Sequence, residues 1–308
     1  MPVTYTPIRY PGGKSKLYPT VRQIIEDNGL LGCTYAGAFA GGAGVGMELL
    51  LKNDVARVLI NDLDRAVYCM WKAIVEQPEE MCSFIDASGP TIDEWRVHRE
   101  TYRNQDEAAD LDLAKAAFFL NRTNVSGIIK GGVIGGIDQE GTYKIGARFG
   151  KEDLKRKIHE IAKHADSIAV TNLDAEDFIA TLDTDDTFAY FDPPYVQKGP
   201  GLYENSFDEE KHRSLAEKIS ECGCKWMVTY DSNALVESLY GAYDMDEIDI
   251  RYSAHSANVG REKIIAGPGR YKLHQVRSSP GVSSQRKETR PRAYGQQPCA
   301  RLCKTILI

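Results

Sequence analysis

Apolar residues along this 308-residue chain fall in short runs separated by longer amphipathic stretches, and that alternation predicts the elements. Thr34 to Phe39 reads as a strand ending in a glycine cluster, followed by a helix over Gly44 to Lys52. Val58-Leu59-Ile60-Asn61 is a short apolar strand running into Asp62 and Asp64. Arg65 to Val75 has helical spacing, and Gln77-Pro78 punctuates its end. Strand character returns at Ile168-Ala169-Val170 and is strongest at Phe188-Ala189-Tyr190-Phe191. Glu209 to Cys222 reads as a helix and Trp226 to Tyr230 as another strand. Strands alternating with helices predict an α/β fold with a doubly wound, mostly parallel sheet, whose ligands bind beyond the carboxyl ends of the strands.

Two stretches break that rhythm. Residues 76–165 are charged and helical, interrupted by a glycine-rich stretch from Gly127 to Gly150, and read as an insertion between sheet-forming parts at 1–75 and 166–268. Residues 269–308 are polar, rich in Ser, Gln, Arg and Pro, and cannot bury much apolar surface, so a disordered tail is expected. The tail holds nine Lys/Arg against Glu288, a net of +8, which leaves −14 for the rest of a chain whose total is −6. An acidic body does not exclude nucleic acid, because phosphate contacts are local. No run of 18 apolar residues is present, so no membrane partner is expected. The first residues lack a basic segment followed by an apolar one, which predicts a cytoplasmic protein. The seven cysteines are irregularly spaced, as reduced thiols would be, and no metal site is expected.

The chemistry concentrates at Asp192-Pro193-Pro194-Tyr195, directly after the strongest strand. An exocyclic amino group on a base is a poor nucleophile, because its lone pair is delocalised into the ring. A carboxylate and a carbonyl that accept its two N–H bonds would favour pyramidalisation and aim the lone pair at an electrophile. Asp192 can supply the first and Pro193 the second, while two prolines make a stiff turn without backbone donors. Tyr195 offers an aromatic face for an extruded base. The bland alternative is a strand end closed by a proline turn.

Four further motifs gain meaning together. Phe39-Ala40-Gly41-Gly42-Ala43-Gly44, between strand and helix, lets backbone approach a ligand but is not a GxGxxG. Asp62 ends the next strand about 20 residues later, where an acid can bind ribose hydroxyls, and Asp64 is available to cap the following helix. Arg9-Tyr10-Pro11-Gly12-Gly13-Lys14-Ser15 is not a Walker A motif, since Ile8 stands where its first glycine belongs. It reads as a glycine turn presenting Tyr10 and Lys14. Asp174-Ala175-Glu176-Asp177-Phe178 is either a helix start or an acid and an aromatic able to grip an adenine ring. Asn121-Arg122-Thr123-Asn124 carries side chains that read base edges, and with Lys130 and Arg148 could line a basic surface; the alternative is a solvated loop.

In this order the stretches RYPGGKSKL, FAGGAGVGMEL, NDLD, LNRTNVSGIIKGG, DAEDF and YFDPPY resemble the Dam-like class of N6-adenine DNA methyltransferases, over roughly residues 7 to 266. The resemblance implies a Rossmann-like methyltransferase sheet, S-adenosylmethionine as cofactor, double-stranded DNA as partner and a monomer that flips its target adenine. Tyr10, Gly12 and Lys14 would contact the cofactor. Phe39, Gly41 and Gly42 would lie under its methionine part, Asp62 on its ribose, and Asp177 and Phe178 on its adenine. Asp192, Pro193, Pro194 and Tyr195 would take the target base. The insertion, with Arg122, Asn124, Lys130 and Arg148, would be the helical target-recognition region. The segment from Arg251-Tyr252-Ser253-Ala254 to Arg261 would lie near DNA. Two departures stand out. Gly37 and Ala38 replace the Glu-Pro often found before the Phe of the glycine motif, which implies altered cofactor affinity. After Arg261-Glu262-Lys263 comes only Ile264-Ile265-Ala266 before Gly267-Pro268-Gly269. The expected last strand is therefore shortened, or taken over by Tyr271 to Val276.

Overall fold

The structure, a computed structural model, describes residues 4–182, 186–196, 207–251 and 259–267. Its elements follow in the order α1 (Tyr18–Asp27), β1 (Thr34–Gly37), α2 (Gly44–Leu51), β2 (Arg57–Asn61), α3 (Arg65–Glu76), α4 (Pro78–Ala87), α5 (Ile92–Arg103), α6 (Asp110–Thr123) and α7 (Lys151–Ala162). They continue with β3 (Ile168–Thr171), α8 (Ala175–Ala180), β4 (Thr187–Phe191), α9 (Glu209–Glu221), β5 (Lys225–Asp231), α10 (Ala234–Tyr240), β6 (Asp244–Arg251) and β7 (Val259–Ala266). Asp64 caps α3 as expected, accepting from Ala66 N, and Asp208 caps α9, accepting from Lys211 N, each at 2.8 Å.

The strands form one seven-stranded sheet in the order β3-β2-β1-β4-β5-β7-β6. β1 to β5 pair in parallel, and β7 runs antiparallel to both β5 and β6. The α/β, mostly parallel sheet predicted from the alternation is therefore present. Strand residues alternate between two buried clusters. Tyr35, Phe188, Tyr190 and Met227 face the larger, while Ala36, Ala189, Phe191 and Trp226 face the smaller. All five residues of β4 are buried, which explains its unbroken apolar run. Helices α4 to α7 share the larger cluster, since Met81, Ile85, Phe118 and Ile158 belong with Val58 and Trp71.

The expectation of a shortened last strand is corrected. β7 spans eight residues, and its Glu262–Ala266 stretch pairs with Asp231–Met227 of β5. Ile264 and Ile265 are fully buried on opposite faces, so the short apolar run suffices. Tyr271 to Val276, the rest of the tail and residues 252–258 lie outside the described residues.

The topology places the site. From β1 the chain moves outward through β2 to β3, then returns to β4 on the other side of β1. The carboxyl ends of β1 and β4 thus meet where the strand order reverses, which is where open α/β sheets hold ligands.

Candidate active site

The glycine turn leaves β1 and is held mainly by backbone atoms. Ala40 N donates to Asn61 O at 2.8 Å, and the buried Trp71 indole donates to Gly41 O at 2.8 Å. Asn61, fully buried, gives its amide N–H to Ala38 O and Leu173 O and accepts from Thr171 Oγ1 and Leu173 N. One side chain thereby locks the ends of β1, β2 and β3. Gly41 has φ of 44°, and a Cβ there would sit 2.8 Å from the Tyr10 ring, so only glycine admits that ring. Asp62 accepts from Gly41 N through Oδ2 at 2.8 Å and from Asp64 N through Oδ1 at 3.0 Å. Burial pushes its carboxyl up to about 7, with the charge of Asp64 adding and the Gly41 N–H opposing.

The proline turn leaves β4 beside it, held mainly by side chains. Asp192 Oδ1 accepts from Thr229 Oγ1 at 2.7 Å and lies 3.2 Å from Lys14 Nζ. Lys14, only 8% exposed, also donates to Tyr195 Oη and lies 3.4 Å from Glu262 Oε1. Its ammonium sits 4.7 Å from the Tyr195 ring centre. Glu262 is 1% exposed, and among the described residues its Oε2 has no hydrogen-bond partner. Burial raises its carboxyl above the ordinary range, while Lys14 pulls the other way. One ammonium thus balances two carboxylates behind the turn.

Both turns open on one cleft of about 500 Å³, lined by Tyr10, Gly12, Lys14, Phe39, Gly41, Gly42, Asp62, Asp192 and Pro194. That volume suits a small-molecule ligand. The family model for D12 class N6 adenine-specific DNA methyltransferases matches residues 10–254, which takes in both turns and everything between them. The chain belongs to that family. It is an adenine-specific DNA methyltransferase, and the family uses S-adenosylmethionine on DNA. The chain is also similar to the Type II methyltransferase M.MjaIII of Methanocaldococcus jannaschii, 21% identical over 263 residues, which is 78% of this chain and 89% of the relative. Two solved structures resemble it faintly. A candidate methyltransferase, yhhF from Escherichia coli, has a TM-score of 0.37 at 11% identity, covering 86% of this chain and 91% of its own. A candidate RNA methyltransferase, PH1948 from Pyrococcus horikoshii, has a TM-score of 0.39 at 9% identity, covering 84% and 83%.

Of the remaining predicted site residues of the methyltransferase, Arg122 and Lys130 also line the cleft and the others do not. Phe178 is 2% exposed and belongs to the smaller core cluster, and Asp177 is exposed on the first turn of α8. The residues of that turn that line the cleft are Asp174 and Ala175, so the acid facing the ligand space is displaced by one helical turn. Pro193 and Tyr195 are buried, Tyr195 at 7% exposure, with its ring in the core and its hydroxyl on Lys14. Its ring offers no open face for a base in this conformation. Lys14 lines the cleft as expected but turns its ammonium to the proline turn, a role the sequence reading missed.

Within the motif Asn121-Arg122-Thr123-Asn124 the correction falls on Asn124, while Arg122 is half-buried and lines the cleft. Asn124 is fully buried: its Oδ1 accepts from the Trp95 indole at 2.7 Å, and its Nδ2 donates to Ile128 O and Ile129 O. It has no base edge to read. Arg122 donates to Arg148 O at 2.8 Å and Pro7 O at 3.2 Å, and burial lowers its guanidinium to about 9. Asn121 accepts from Arg9 N at 2.9 Å and donates to Arg9 O and Gly127 O. The motif therefore anchors the N-terminal segment carrying Tyr10 and Lys14, because buried amides and guanidinium groups must be hydrogen-bonded. Lys130 and Arg148 are exposed, Lys130 on the cleft rim and Arg148 over the Tyr143 ring at 6.0 Å.

Proposed function

We propose that this methyltransferase transfers a methyl group to N6 of an adenine flipped out of duplex DNA, at a defined sequence. The observation that carries the reading is the meeting of the glycine turn and the Asp192 turn on one cleft at the strand-order reversal. The cofactor end fits a nucleoside-bearing ligand. Gly41 and Gly42 let the Tyr10 ring pack directly on the turn at the floor of the cleft, and Asp62 is oriented by two backbone N–H groups with acceptor capacity left for ribose hydroxyls. S-adenosylmethionine, when bound, supplies the electrophilic methyl group. The chain's own residues do the rest by positioning, which can be worth ~7–11 kcal/mol.

Thr229 and Lys14 both engage Asp192 Oδ1, which leaves Oδ2 to accept one N–H of the amino group. The Pro193 carbonyl accepts the other. Lys14 places its ammonium 3.2 Å from Asp192 Oδ1, the oxygen not offered to the amino group. Stacking on Tyr195 requires the ring to leave Lys14, so the base enters as that contact opens. Lys130 and Arg148 bind backbone phosphates.

Mass spectrometry of nucleosides, after incubation of the full chain with S-adenosylmethionine and duplex DNA, tests the reading. N6-methyladenine is the expected product. N4-methylcytosine, or no methylated nucleoside, would contradict it.

A further inference from the structure

Asp192 sits in a turn that cannot hold its own carboxylate. An aspartate entering a turn commonly accepts from the backbone N–H two residues on, but that residue here is Pro194, and Pro193 lacks an N–H too. The orientation must come from elsewhere. Lys14 supplies charge, yet an ammonium on a four-carbon stem is a point charge that sets no plane.

Two hydroxyls on adjacent strands complete the hold. Thr229 Oγ1, on β5 and fully buried, lies 2.7 Å from Asp192 Oδ1. Tyr190 Oη, on β4 and 5% exposed, lies 2.9 Å from Thr229 Oγ1. A threonine hydroxyl has one proton, so once Thr229 donates to Asp192 it must accept from Tyr190. The direction of the relay is therefore Tyr190 to Thr229 to Asp192. Burial and the charge of Asp192 push the Tyr190 phenol well above its ordinary value, so it remains a donor. Thr229 is β-branched and stands on a strand paired on both sides, which makes its hydroxyl a fixed point.

We infer that Thr229, backed by Tyr190, is a positioning residue for methyl transfer: it pins Asp192 Oδ1 so that the carboxylate plane, and with it Oδ2, meets the amino group. The inference rests on the reading of Asp192 as the acceptor for that group. It separates hydroxyl from bulk. Valine at 229 keeps the shape and loses the donor, whereas serine keeps the donor and loses the methyl.

The test measures single-turnover methyl transfer from tritiated S-adenosylmethionine to duplex DNA, with cofactor Kd and Tm for each variant. Thr229→Val should slow transfer about 10- to 100-fold, as expected for losing a hydrogen bond to a charged group, with cofactor Kd within about twofold of wild type. Thr229→Ser should return transfer to within about threefold of wild type. Tyr190→Phe should slow it by about 3- to 10-fold and add little on top of Thr229→Val, because both act on one relay. If Thr229→Val is as fast as an active wild type, or Thr229→Ser is as slow as Thr229→Val, the inference is overturned and the functional reading stands. An inactive wild type overturns both.

Discussion

The turn after β1 and the turn after β4 leave paired parallel strands and face one cleft, but they are built from opposite materials. The first is glycine, with Gly41 at φ of 44° and its peptide groups held by Trp71, Asn61 and Asp62. The second is proline, with no backbone donor at Pro193 or Pro194, and is held through Lys14, Thr229 and Glu262. The difference matches what we propose each turn holds. A preformed cofactor needs space and backbone contact, so the first turn removes side chains. A poor nucleophile needs one carboxylate in one orientation, so the second removes backbone freedom and borrows its donors from far along the chain.

The largest effect on cofactor binding is expected at the glycine turn. Gly41→Ala puts a Cβ 2.8 Å from the Tyr10 ring at a positive φ. Left-handed backbone at a non-glycine residue costs ~1–2 kcal/mol before any clash. Isothermal titration should therefore show cofactor affinity weakened by about 10- to 100-fold. Unchanged affinity would mean that the turn is not the cofactor floor.

Asp62→Asn gives a smaller effect with a distinctive pH signature. Burial raises Asp62 to about 7, so its carboxylate protonates as pH falls through that value and loses acceptor capacity. Wild-type cofactor binding should weaken from pH 8 to pH 6, while the Asn variant binds about tenfold more weakly at pH 8 and shows a flatter pH profile. An equally steep profile in the variant would place the titrating group elsewhere.

The smallest effects lie in the insertion, and they separate two kinds of residue. Lys130→Ala should lower the salt slope of DNA binding by about 1, as loss of one phosphate contact does. Asn124→Ala should leave that slope unchanged and instead destabilise the fold by about 1–3 kcal/mol, since it strands the Trp95 indole and two carbonyls. A reversed pattern would restore Asn124 to the DNA surface.

What was legible in the sequence is what local pattern encodes. The strands and helices read from the pattern at 34–75, 168–191 and 209–230 end within a few residues of their predicted positions, because apolar runs, Asp64 and Pro78 mark those ends directly. By contrast, α1, α10 and β6 were not foreseen. Both turns were legible, since glycine and proline are restrictive enough to announce themselves. Direction was not. Asn124 and Arg122 carry the chemistry that reads bases, yet which way a side chain points depends on Trp95 and on carbonyls of Pro7 and Arg148 that only the fold brings near. The pairing of Lys14 with Glu262 spans almost the whole described chain. Thr229 lies inside the apolar run Trp226 to Tyr230, where a hydroxyl reads as filler until Asp192 is placed beside it.

The most direct measurement of the central claim, that the two turns divide cofactor holding from amino-group activation, is made on Asp192→Ala. Titration with S-adenosylmethionine and tritium transfer to duplex DNA are run on the same preparation. Cofactor affinity should stay within a few-fold of wild type while methyl transfer falls by at least on the order of a thousandfold. Methyl transfer near the wild-type rate, or loss of cofactor binding with the fold intact, would contradict it.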